Sequence, residues 1–73
     1  MKTVIVELPI DKFGIDHVEA VRETKFPDQI EFDKLMARME LTRWYDIETF
    51  INGINNDSID TENNWFAPVI IYN

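Results

Sequence analysis

Val4, Val6 and Leu8 alternate with Thr3, Ile5 and Glu7 at the start of the chain. This period of two predicts a strand over residues 2–8. Pro9 ends it, because proline has no N–H to give to a ladder. Residues 10–16 hold Gly14 between Phe13 and Ile15 and read as a loop that tucks apolar side chains under the sheet. The next stretch, 17–25, carries two patterns. Asp16 with Glu19 is a capping pair that starts a helix. Val18, Ala20 and Thr24 alternate towards Phe26 instead, and on that alternation the expectation is a strand.

The start signal at Pro27-Asp28-Gln29-Ile30-Glu31 is cleaner, since Asp28 can accept from the free N–H groups of a first turn and Glu31 can reach back. Phe32, Leu35, Met36 and Met39 then recur at helical spacing, so residues 28–40 read as an amphipathic helix. Thr42 is the expected cap of a second helix from Arg43 to about Asn55. Its apolar stripe is Trp44, Ile47, Phe50, Ile51 and Ile54, and Gly53 marks its fraying end. Residues 55–64 are polar and form a loop. Trp65–Tyr72 is apolar on both faces, which suits a central strand, while Pro68 belongs at an edge; a bulge at Pro68 reconciles the two. The expectation is one small α+β domain over 1–73, roughly β-β-α-α-β. Its terminal strands share one antiparallel or mixed sheet, with two helices on one face.

Size and composition narrow the picture. A chain of 73 residues with 45% hydrophobic residues has room for one modest core, and partners or self-association commonly add to the stability of so short a domain. With no cysteine, neither disulfides nor thiolate metal sites are available, and no apolar run approaches the roughly 20 residues that span a bilayer. The expected location is the cytoplasm, with no membrane partner.

Charge changes the picture most. After Arg43 there is no further Lys or Arg, yet Asp46, Glu48, Asp57, Asp60 and Glu62 follow. Residues 44–73 therefore carry −5 of the net −7, against −2 for residues 1–43, where nine acids face seven bases. A cation-free half favours basic partners.

The vocabulary of chemistry is sparse. Ser58 is the only serine and His17 the only histidine, and Ser58 has no Gly-x-Ser-x-Gly context. Asp57, Asp60 and Glu62 lie among Asn55, Asn56, Asn63 and Asn64, but no glycine follows at the place an EF-hand loop needs one. The two glycines are too far apart for a phosphate loop. The Trp44-Tyr45 and Trp65-Phe66 pairs lack a basic groove around them and read as core residues, so direct nucleic-acid binding is not expected.

These observations lead to the expectation of a protein that is not an enzyme, needs no cofactor or metal, and acts by occupying a partner surface. The partner is a protein with a basic surface, a nucleic-acid-binding enzyme among the candidates. The general character suits a phage or mobile-element inhibitor of a restriction, CRISPR or polymerase enzyme, acting through a partly DNA-mimicking acidic face. The mimicry is partial, because duplex DNA carries a charge about every 1.7 Å and this half of the chain carries five in all. The expected partner-binding residues are Asp46, Glu48, Asp57, Asp60 and Glu62, with Tyr45 as the exposed aromatic. The alternative is a self-assembling structural or accessory subunit, with the homodimer as its simplest form.

Overall fold

The elements are β1 (Lys2–Pro9), α1 (Ile15–Glu23), α2 (Gln29–Arg38), β2 (Trp44–Asp46), α3 (Ile47–Asn55) and β3 (Asn64–Ile71). They come from a computed structural model that describes residues 1–40 and 43–73. The strands form one antiparallel sheet in the order β2-β1-β3. The class is α+β as expected, with the first and last strands paired directly.

The period of two in β1 does what it promises. Val4, Val6 and Leu8 are fully buried and meet Ala67, Val69 and Ile71 of β3 on the same face. Val18 and Val21 of α1 and Phe32 and Met36 of α2 close over that face as one core. Phe32 is its pivot, edge-on to both Phe26 and Trp44 with ring centroids 5.4 and 5.5 Å away. Asp28 caps α2 as expected, its side chain accepting from the Glu31 N–H at 3.0 Å.

Residues 15–23 are a helix, which corrects the strand expected over 17–25. The inward positions are Val18 and Val21, three apart, while Ala20 stays exposed. Glu19, Ala20, Arg22 and Glu23 are good helix formers, so propensity and the period of three agree. The cap is Gly14 rather than the Asp16–Glu19 pair. Strand character resumes only at Phe26, which bridges Ile71.

The second helix also begins later than expected. Trp44–Asp46 is a short strand whose side chains alternate: Trp44 packs against Phe32 in the core, and Tyr45 meets Phe50 on the opposite face. Asp46 is the N-cap of α3; the expected cap, Thr42, lies outside the described residues. Phe50 also approaches Phe66 at 5.3 Å. Thus α3 covers the face of the sheet that α1 and α2 leave open.

Strand β3 is an edge strand, not a central one, and it has no bulge: pairing with β1 runs unbroken from Lys2↔Ile71 through Ile5↔Pro68 to Pro9↔Asn64. The Glu7 N–H donates to the Arg43 carbonyl at 3.2 Å, so odd residues of β1 bond towards β2 and even ones towards β3. Pro68 stands opposite an odd residue, where its lost N–H would have pointed away from β1. Pro68 thus costs the ladder nothing.

Gly53 does not mark a frayed end. It is buried within α3, and the helix terminates three residues later at Asn56. Asp57 takes the left-handed conformation (φ 58°), and the N–H groups of Ser58 and Asp57 close on the carbonyls of Gly53 (3.0 Å) and Ile54 (3.3 Å). This is the Schellman closure, with Asp in the place usually held by glycine.

Candidate functional site

The acidic residues of the second half fall into two groups at opposite ends of α3. Asp46 and Glu48 stand at its start, where the helix dipole favours anions. Asp57, Asp60 and Glu62 follow its end. Nine helical residues at about 1.5 Å each separate the groups by about 14 Å.

Asp46 is partly engaged, since Lys2 Nζ lies 3.8 Å from its carboxylate and also 5.0 Å from the centre of the Trp44 ring. Glu48 is exposed. Tyr45 is not the exposed aromatic: it is half-buried, and its hydroxyl donates to Glu7 Oε1 at 3.0 Å. Arg43 lies beside this pair, and the Tyr45 oxygen first, then the Glu7 charge, hold its guanidinium pKa above the ordinary value. The aromatic left most open is Tyr72.

At the other end, Asp60 organises the loop from α3 to β3. Its carboxylate accepts from the Glu62 N–H (2.9 Å), the Asn63 N–H (3.1 Å) and Asn63 Nδ2 (2.9 Å). The Asn63 side chain first, then these two backbone groups, hold the Asp60 carboxyl below the usual aspartate range. Ile59 anchors the loop by burying itself against Gly53. The Ile10 N–H donates to the Asn63 carbonyl at 3.0 Å and draws the loop after β1 alongside. Asp11 thereby joins Asp60 and Glu62 around an open cleft of about 440 Å³. Sequence reasoning missed Asp11, because only the pairing of β1 with β3 brings its loop to this end.

This arrangement can attract cations over a surface. Ser58 closes the turn after α3 and His17 lies edge-on to Phe13 on α1, so the two belong to elements on opposite faces of the sheet. Among the described residues, no three His, Cys, Asp or Glu side chains are grouped to hold a metal ion, and no helix is long and apolar enough to cross a membrane.

The apolar stripe of α3 is not buried as its helical period implies. Ile47, Ile51 and Ile54 remain 41%, 51% and 36% exposed, and only Gly53 of this helix is buried. The inward side of α3 is centred between Gly53, which meets Ile59, and Phe50, which meets Tyr45 and Phe66 of the sheet. At about 100° per residue, the isoleucines lie roughly a quarter-turn further round. Compared with known proteins, the chain matches no family model, and no curated protein or solved structure is significantly similar to it.

Proposed function

We propose that the chain is a non-catalytic protein-binding protein that acts by occupying a basic surface of its partner. The observation that carries this reading is the acidic end of the sheet. Asp11, Asp57, Asp60 and Glu62 are exposed on two tied loops whose only cation is Lys12. Such a mainly acidic surface steers a basic partner into encounter. Carboxylates held on ordered turns also suit partial imitation of a phosphate row, the device by which a phage or mobile-element inhibitor would block a restriction, CRISPR or polymerase enzyme.

The test is capture from nuclease-treated host lysate, with bound proteins identified by mass spectrometry. Wild type runs beside a variant carrying Asp11→Asn, Asp57→Asn and Glu62→Gln. Asp60 is left alone because its carboxylate holds the loop. Capture of a nucleic-acid-handling protein by wild type and its loss in the variant is the expected result. Equal capture by both would mean that the acidity serves solubility only.

A further inference from the structure

The sheet face under α3 is only partly covered. A helix about 10 Å across spans about two strands spaced about 4.8 Å apart, and α3 lies over β2 and β1. The outer part of β3 is left bare: Pro68, Ile70 and Tyr72 are exposed beside a cleft of about 450 Å³. The isoleucine stripe turns towards this gap. Going round α3 from Gly53, the next position is Phe50, which leans to Phe66 of β3, and beyond it in the same direction come Ile54, Ile47 and Ile51. One wall and the floor of the gap are therefore apolar, on a face open to water.

The charges beside the gap are of both signs and sit at one end. Glu48 is in the first turn of α3. Arg22, Glu23 and Lys25 border the cleft where α1 runs out next to Ile71, so that end carries one positive charge in excess. Among the described residues the ion pairs are Lys2–Asp46 and Lys34–Glu31, so Glu48, Arg22 and Lys25 are in neither.

We propose that the missing cover is a second copy of the chain, related by a two-fold axis parallel to the strands. That operation leaves the direction of α3 unchanged and exchanges left for right, so each α3 enters the gap over the other protomer's β3. The stripes of Ile47, Ile51 and Ile54 then meet along the axis, at the 4-then-3 spacing of a parallel two-helix seam. Because the ends are not exchanged, Glu48 of one copy faces the Arg22–Lys25 end of the other, and the reverse pair forms by symmetry. A two-fold across the strands would instead set α3 on α3 and leave both gaps open. A standard interface takes about 800 Å² from each partner, roughly a sixth of this chain's 5023 Å² surface.

The dimer also has a consequence for the acidic end. Both sets of Asp11, Asp57, Asp60 and Glu62 point the same way, which doubles the charge offered there. The dimer itself does not depend on those residues binding anything.

Sedimentation equilibrium of the full chain, from micromolar to millimolar concentration, tests the proposal. Wild type is expected at twice the chain mass of 8.7 kDa in the upper part of the range. Ile51→Glu, at a half-exposed position that leaves the core intact, should weaken the dimer at least about tenfold with an unchanged circular-dichroism spectrum. Glu48→Lys and Lys25→Glu should each weaken it about threefold or more, and the two together should restore it. A wild type that stays monomeric to millimolar concentration overturns the proposal. So does a dimer indifferent to Ile51→Glu, or a double reversal no tighter than the single ones.

Discussion

Gly53→Ala separates helix propensity from packing. In an ordinary helix interior this change stabilises by about 1 kcal/mol. Here a Cβ on Gly53 would lie 2.5 Å from Ile59 Cγ1 and closer still to Cδ1, so Ile59 must leave its place. Ile59 is only 7% exposed. Exposing such a side chain costs about 1.5–3 kcal/mol, and forcing it into packed surroundings costs about 1–3 kcal/mol. The net expectation is a loss of about 1–2 kcal/mol, with a fall in Tm of about 4–8 °C per kcal/mol for a domain this small. Urea denaturation followed by tryptophan fluorescence would measure it, on Gly53→Ala, Ile59→Ala and the double variant. In the Ile59→Ala background the new methyl has room, so Gly53→Ala should become neutral or stabilising by up to about 1 kcal/mol. If Gly53→Ala stabilises the wild-type background by the same amount as the Ile59→Ala background, the packing account of this glycine is wrong.

Other positions give sharper contrasts. The Asp60 carboxyl, lowered by hydrogen bonds from Asn63 and Glu62, contributes stability that is full above the ordinary aspartate pKa of about 3.9 and is lost as pH falls through the folded value. A carbon-13 titration should therefore place Asp60 below that value, and Asp60→Asn should flatten the acid-side loss of stability; a titration at or above it would contradict the loop geometry. Tyr45→Phe removes the hydroxyl that donates to Glu7 and should cost about 1 kcal/mol in urea denaturation. Pro68→Val should alter stability by no more than about 1 kcal/mol, whereas Val69→Pro, which removes a donor facing Val4, should cost about 3 kcal/mol or more. Equal effects at the two neighbours would argue against the unbulged register.

The parts of the fold legible in the sequence are those where one local signal stands unopposed. Alternation in β1, the Asp28 cap and the helical period after it all lie within a few residues of the structure they specify. The strand expected over 17–25 failed because Val18, Ala20 and Thr24 satisfy a period of two by coincidence, while burial follows Val18 and Val21. Trp44, which fits a helical stripe, and Tyr45, expected to be the exposed aromatic, were both captured by a strand that needs one ring on each face. Pro68 correctly signalled an edge, and the doubly apolar character of β3 misled because its outer face remains partly uncovered.

The candidate site was legible as composition and only in part as placement. That Arg43 is the last cation is written in the sequence. That the five acids divide between two ends of α3 follows from the span of one helix, whereas that Asp11 joins one of the groups depends on pairing between residues some fifty positions apart. Asp60 reads in sequence like its neighbours Asp57 and Glu62, yet its oxygens are the ones committed to the loop. Nor could periodicity show which way the isoleucines of α3 turn, since that depends on where Phe50 and Gly53 find their contacts.

The most direct test of the central claim is the association rate of the captured and purified partner, measured from about 50 to about 300 mM salt. Wild type should associate more slowly as salt rises. The Asp11→Asn, Asp57→Asn, Glu62→Gln variant should start slower and depend less on salt, as expected when exposed charges act on encounter. A wild-type rate that is constant across that range, or identical in the variant, would contradict binding through the acidic end.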